Sequence, residues 1–211
     1  MYSPLESLKK QEIIEHLKAS YNGSVDCPYP PGFIRGAKRP AAVLIPMLLI
    51  NSSWHLLFIH RTHHIDDPHS GQVAFPGGAR DPNDQHLVST ALRETYEELG
   101  IEPTDVEVLG QLNDFVTITG YQVTPVVGLI PWPYNFRVAQ NEVNRFFTIP
   151  LDWLADPSNH VIQERSLPEP YPSIPVIYFN TYDGEVLWGA SARFTLSLIS
   201  VLTDNPMGKN K

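Results

Sequence analysis

One cysteine, Cys27, in 211 residues leaves no internal disulfide to form and no cysteine cluster for zinc or iron–sulfur chemistry. A reducing compartment suits such a chain, and the cytoplasm is the expectation. Positive charge is scarce too: 15 Lys and Arg stand against 23 Asp and Glu, for a net −8 and a pI near 5.4. No global positive field gathers a nucleic-acid polymer, so a polyanionic substrate would need positive charge from outside the chain, and a divalent metal is the usual source. Long apolar runs are also missing. The longest, Ala41 to Ile50, is ten residues and contains Pro46, about half of what a membrane-spanning helix needs; it reads as a buried strand. Met1-Tyr2-Ser3-Pro4 opens without the basic and apolar segments of a secretory leader. A soluble protein with no membrane partner is expected.

Proline, by contrast, is abundant. Twenty prolines, nearly double the usual share of about 5%, favour a loop-rich α/β chain over a helical bundle. With 42% hydrophobic residues over this length, residues 1–211 suffice for one domain and are short for two. Ser3-Pro4 ahead of Leu5, Leu8, Ile13, Ile14 and Leu17 predicts an N-capped amphipathic helix ending near Tyr21-Asn22-Gly23. Asp26 to Pro40 reads as an irregular connection carrying the densest basic cluster, Arg35, Lys38 and Arg39. Ala41–Ile50 and Trp54–Ile59 form a strand pair through Asn51-Ser52-Ser53. Further strands are expected at 106–112, 122–130, 146–149, 174–179 and 185–188, a last helix at 191–202, and a polar tail at 205–211. His60, His63, His64 and His69 lack a helical metal-binding motif and read as loop residues near a substrate entrance.

One helix carries the chemistry. Between about Gln85 and Leu99, Val88, Ala91, Leu92, Thr95 and Leu99 make a core-facing stripe, with Gly100 as the stop and Asp84 as the expected N-cap. Glu94, Glu97 and Glu98 fall on a separate arc of about 100°. Glutamates on a helix are ordinarily a solvated surface, but these repel one another and sit where the helix dipole disfavours anions. A hard cation bound through oxygen relieves both penalties. Arg93, one turn before Glu97, is placed to hold that carboxylate. Ahead of the helix, Gln72-Val73-Ala74 runs into Phe75-Pro76-Gly77-Gly78, a two-glycine loop able to approach a ligand closely and offer carbonyl oxygens.

Residues Gly78 to Asp84 followed by Arg93-Glu94-Thr95-Tyr96-Glu97-Glu98-Leu99-Gly100-Ile101 resemble the Nudix box, Gly-x5-Glu-x7-Arg-Glu-U-x-Glu-Glu-x-Gly-U, where U is aliphatic. The interval from Gly78 to Arg93 is one residue longer than the pattern, Asp84 or Gln85 replaces its first Glu, and Thr95 replaces an aliphatic residue. Arg61, Gly71-Gln72-Val73-Ala74-Phe75-Pro76-Gly77-Gly78, Thr119 to Gly128, and Leu187-Trp188-Gly189-Ala190-Ser191-Ala192-Arg193 resemble the coenzyme A pyrophosphatase branch, over roughly residues 40–202. That branch usually has an Arg between the Arg61 position and the Gly-Gln pair; here His63 to Ser70 contains none.

The resemblance implies the Nudix fold, an α/β/α sandwich with a mixed β-sheet, and hydrolysis of the pyrophosphate in coenzyme A or acyl-CoA to 3′,5′-ADP and (acyl-)4′-phosphopantetheine. It implies Mg²⁺ or Mn²⁺ bound by Glu94, Glu97 and Glu98, with the Gly77 carbonyl as a further ligand and Arg93 as orienter. Glu94 or the distal Glu142 is the general base. Substrate contacts fall to Arg61, Arg39, Gly78 and Tyr121, with Arg35 and Lys38 as further cations for the 3′-phosphate and Trp132 as another base-stacking candidate. Homodimers are frequent in the family. Two alternatives remain: hydrolysis of other nucleotides (oxidised dNTPs, ADP-ribose, dinucleoside polyphosphates), or a non-catalytic nucleotide sensor, against which the intact glutamates argue.

Overall fold

A computed structural model of the chain describes residue 5 and residues 7–62 and 71–204. The expected Ser3-Pro4 cap, His63, His64, His69 and the 205–211 tail lie outside the described residues. In chain order the elements are α1 (Lys10–Ser20), β1 (Val25–Asp26), β2 (Arg39–Ile50), β3 (Ser53–Arg61), β4 (Val73–Ala74), β5 (Gly77–Ala79), α2 (Leu87–Leu99), β6 (Glu107–Gln111), β7 (Asp114–Val116), β8 (Tyr121–Leu129), β9 (Val143–Pro150), α3 (Leu151–Ala155), β10 (His160–Arg165), β11 (Ile174–Phe179) and α4 (Gly189–Leu202). The main sheet runs β1-β7-β8-β2-β3-β4, with β5 added to β2, β6 to β8 and β9 to β3. It is mixed: β2 and β8 pair in parallel, whereas β2 and β3 are antiparallel.

Strand alternation sorts the core into two layers. Ala41, Ile45, Met47, Leu56 and Phe58 pack with residues of α1, α3 and α4. Ala42, Leu44, Leu48, Leu57 and Ile59 pack on the other face with Ala91 and Leu99 of α2. The expected α/β/α sandwich is therefore present, with the box helix on its own face. Pro46 is accommodated in the central strand because it falls between the stretch of β2 paired with β5, Ala41 to Val43, and the stretch paired with β3, Met47 to Ile50. The hairpin turns on Asn51 and Ser52, with φ of 48° and 66°, the left-handed pair that matches strand twist.

Several expectations change. The first helix begins at Lys10 with a Lys9–Glu12 capping box rather than near Ser3. Residues 185–188 make no strand; Glu185 closes a tight turn with Tyr182, and Trp188 only bridges Tyr178. Strands β7 and β10 were not anticipated. The residues of β10 after His160 are exposed on both faces, so no alternation marks them.

Candidate active site

Helix α2 starts at Leu87, two residues later than expected, and its N-cap is His86, whose Nδ1 accepts the Ser89 N–H at 3.0 Å. Asp84 is not the cap because its carboxylate is taken by Arg93. Arg93 Nε donates to Asp84 Oδ1 and Nη2 to Oδ2, both at 3.0 Å, while Asp81 N–H and the Thr90 hydroxyl complete the shell at 2.9 Å. These bonds hold the Asp84 carboxyl down at about 2, the Arg93 guanidinium being the largest influence. Of the two residues that replace the first box glutamate, it is Asp84 that meets the box arginine. Gly100, at φ 67°, ends the helix as expected, its N–H bonded to Tyr96 O.

Arg93 has further partners on the carboxylate face. Its Nη1 lies 2.9 Å from Glu94 Oε1 and 3.0 Å from Glu97 Oε2, and Nη2 also donates to Ala79 O at 3.1 Å. One planar guanidinium thus ties the turn before the helix, strand β5 and two glutamates together.

The three glutamates do not share one environment. Glu97 and Glu98 are neighbours in sequence and so point about 100° apart: Glu97 is exposed, and Glu98 turns under the sheet with 1% of its surface accessible. Glu98 Oε2 accepts the Gly77 N–H at 3.0 Å, and Oε1 lies 3.4 Å from Arg61 Nη1. Gly77 therefore meets Glu98 through its N–H; the metal contact expected of this residue is through its carbonyl. Burial raises the Glu98 carboxyl to about 8; Arg61 and the Gly77 N–H oppose the rise, and the charges of Glu94 and Glu142 add to it. Glu94 is raised as well, chiefly by burial, against the pull of Arg93.

Backbone approach is the reason for two glycines. Gly77 has φ 153°, and a Cβ there would collide with Ala42 O. At Gly78 a Cβ would stand 2.6 Å from the Glu94 carboxylate. We expect Gly78→Ala to fold, because only the end of a flexible side chain must move, and to lower kcat by about 10- to 100-fold as Glu94 is displaced. Steady-state kinetics beside a melting curve checks this; a folded variant with wild-type kcat would show that the Glu94 position is unimportant.

Glu142 reaches the site from the loop before β9, its backbone oxygen accepting Thr62 N–H at 2.9 Å. Arg39 and Tyr121 do not join the carboxylates. They form a pair at the start of β2 and β8, the guanidinium 4.0 Å over the ring. Arg39 is three positions before Ala42, which pairs with Gly78, about 10 Å along the strand. Arg39 also alternates to the face of Ala41, away from α2. Arg35 and Lys38 are exposed, and Arg193, from the late segment, binds Asp26 at 2.7 Å and ties α4 to β1. Trp132 is 43% exposed, whereas Trp54 is buried and donates to Leu8 O. Of the four clustered histidines, His60 belongs to β3 and meets Glu185 at 2.9 Å. Sequence reasoning passed over Glu185 and Arg145; the signal available was Asp183-Gly184, a dipeptide that marks a tight hairpin turn.

Glu94, Glu98 and Glu142 are hard oxygen donors, and the charge of Glu142 adds to the rise at both Glu94 and Glu98. That donor chemistry and that deficit of positive charge fit a hard divalent cation. Among the described residues, no three acidic, His or Cys side chains converge as a ready-made metal site, because Arg93 engages Glu94 and Glu97 while Arg61 and Gly77 engage Glu98.

Known proteins agree with this architecture. "Uncharacterized Nudix hydrolase NudL" of Pectobacterium atrosepticum is 36% identical over 80% of this chain and 85% of its own length. Its namesake in Escherichia coli (strain SMS-3-5) is 48% identical over 113 residues, which are 54% of this chain and 58% of that protein. A MutT/nudix family protein from Enterococcus faecalis is similar in fold, with 16% identity, a TM-score of 0.52, and coverage of 81% of this chain and 64% of the other. The NUDIX domain model matches residues 38–167, a span that holds Arg61, the glycine loop, the box helix and Glu142. The chain belongs to the Nudix family and is a hydrolase of pyrophosphate bonds.

Proposed function

We propose that this hydrolase cleaves the pyrophosphate of coenzyme A or acyl-CoA, releasing 3′,5′-ADP and (acyl-)4′-phosphopantetheine, in the cytoplasm. The observation that carries the chemistry is the Glu98 carboxylate, buried against the Gly77 N–H and within charge range of Glu94 and Glu142. The substrate assignment is supported by the segment Gly71 to Gly78, which resembles the coenzyme A branch and supplies the strand lying on Glu98 and Glu94. Glu94, Glu97 and Glu98 would hold Mg²⁺ or Mn²⁺. When bound, the ion supplies positive charge against the phosphate oxygens and eases deprotonation of water.

The protein groups do the rest. Arg93 keeps Glu94 and Glu97 in place, so their charge is positioned before substrate arrives. Arg61 offers a guanidinium beside Glu98 for a phosphate oxygen. Glu94, raised by burial, or Glu142 accepts the proton of the attacking water. Gly78 lets the backbone pass close to Glu94 without a side chain between them.

Incubation with Mg²⁺ or Mn²⁺ and a panel of coenzyme A, acetyl-CoA, ADP-ribose, NADH and deoxynucleoside triphosphates, with products identified by mass, tests the assignment. Coenzyme A and acetyl-CoA are expected to turn over fastest. Preferential cleavage of ADP-ribose or a nucleoside triphosphate would replace the coenzyme A reading with the wider nucleotide one, which the absence of Arg from His63 to Ser70 favours.

A further inference from the structure

The hairpin at Tyr182 to Glu185 lies outside the catalytic elements, yet its last residue reaches across to the strands that carry them. Asp183 and Gly184 take φ of 50° and 81°, and Tyr182 and Glu185 exchange both backbone hydrogen bonds at 2.9 Å. The turn projects a Glu185 side chain only 15% exposed. Its Oε1 lies 2.9 Å from His60 Nδ1 and accepts the Arg145 Nε–H at 2.9 Å. Arg145 Nη2 donates to Asp183 O at 2.8 Å, and its guanidinium lies 4.9 Å from the Phe147 ring.

His60 and Arg145 are directly opposed on β3 and β9, and the register slips at the next step: His60 faces Arg145, but Arg61 faces Val143, so Asn144 is extra. Such a bulge re-aims the residues beyond it. The effect is visible in the core. Phe147 and Ile149 lie in the α4-side layer; simple alternation would send Arg145 and Val143 there too. Arg145 keeps that face and meets Glu185, whereas Val143 is buried in the α2-side layer. Glu142, in the turn just before β9, lies within charge range of Glu94 and Glu98. On β3, Arg61 alternates from His60 onto the α2 face and reaches Glu98. The Arg61 N–H bonds to Gln72 O at 3.1 Å and the Thr62 N–H to Glu142 O at 2.9 Å, which ties the end of β3 to the segment leading into β4 and to the turn before β9.

We propose that Glu185 is a positioning residue for the hydrolysis: by gripping His60 and Arg145 from the α4 side of the sheet, it pins the adjoining ends of β3 and β9, from which Arg61 and the Glu142 turn approach the buried Glu98. This rests on the reading of Arg61, Glu98 and Glu142 as the catalytic face. Glu185 does not touch the reacting atoms; it acts through the strand ends.

The test uses the full chain with Mg²⁺ and whichever panel nucleotide it cleaves fastest. Glu185→Ala is expected to lower kcat about 10- to 100-fold, with KM changed less than about threefold. Glu185→Gln, which keeps an oxygen for Arg145, recovers most of the loss. Amide exchange at Arg61 and Thr62 speeds up in the alanine variant and returns toward wild type in the glutamine variant. In an Arg61→Ala background, Glu185→Ala has a smaller effect than in wild type, since residues acting together are non-additive. If Glu185→Ala does not fold, Arg145→Met opens the grip from the other strand and is judged by the same readings. A folded Glu185→Ala with wild-type kcat, or an undiminished loss in the Arg61→Ala background, overturns the proposal. Wild-type turnover by Arg61→Ala itself removes the catalytic role of Arg61 and the proposal with it, whereas an impaired Arg61→Ala with fully additive Glu185→Ala removes the positioning role alone.

Discussion

Glu98→Gln is expected to lower kcat by a factor on the order of 100 to 1,000 or more while the protein still folds. Glutamine is isosteric and keeps an oxygen for the Gly77 N–H, which lies 3.0 Å from the carboxylate. What disappears is the negative charge in a pocket where 1% of the residue is exposed. Metal-free stability gives a separate reading of the same charge. The Glu98 carboxyl rises from 4.5 to about 8 on folding, mainly by burial. The folded state therefore binds this proton more tightly than the unfolded state. Its contribution to stability is complete below about pH 4.5 and is lost as pH rises through about 8. In EDTA, wild type should lose stability relative to Glu98→Gln between pH 5 and pH 8, so the variant melts higher at pH 8. Added Mg²⁺ should raise the wild-type Tm more than that of the variant. A variant of wild-type activity under saturating Mg²⁺, or a Tm difference unchanged by pH, would sink this account.

What the sequence disclosed and what it hid divide along a physical line. The helix from Leu87 to Leu99 was legible because its signals are local: the apolar stripe has a period of 3.6 and Gly100 supplies the left-handed stop. The Asn51–Ser52 hairpin was legible for a similar reason. Glu98 was legible as an acidic residue of the box but not as a buried one. Its burial depends on which side of the helix β5 covers, and on the Gly77 N–H arriving from a strand 21 residues earlier. Asp84 read as a helix cap because Asp is a good one; the bidentate pull of Arg93, nine residues on, won against that local preference. The bulge beside Arg61 could not be read at all, since it is a difference in register between β3 and β9, and register belongs to two strands at once. Arg39 and Tyr121 read as substrate contacts on residue type, but their pairing with each other and the parity that puts Arg39 on the face of Ala41 depend on strand register and could not be read from residue type.

Arg93→Ala is expected to damage stability and turnover together, for separable reasons. Its guanidinium makes both bonds to Asp84, whose side chain is only 7% exposed. Without it, Asp84 keeps the Asp81 N–H and the Thr90 hydroxyl but no counter-charge. An unpaired buried charge costs about 3–5 kcal/mol, and at this chain length that corresponds to a Tm lower by roughly 6–20 °C. Asp84 has its carboxyl depressed to about 2 from 3.8, so its share of stability is present above about pH 3.8 and lost as pH falls through about 2. Arg93→Ala should shrink that acid-dependent component, since Arg93 is its largest cause. Adding Asp84→Asn removes the stranded charge and should recover part of the lost Tm. Turnover should not follow, because Glu94 and Glu97, 2.9 and 3.0 Å from the same Arg93 nitrogen, still lack the cation that spaces them. Arg93→Lys should fall between: one ammonium supplies the charge but cannot span Asp84, Ala79 O and two glutamates at once. Equal recovery of Tm and kcat in the double variant would mean that Arg93 matters to catalysis only through folding. Recovery of Tm alone assigns it both roles, anchor of the Asp84 turn and spacer of Glu94 and Glu97.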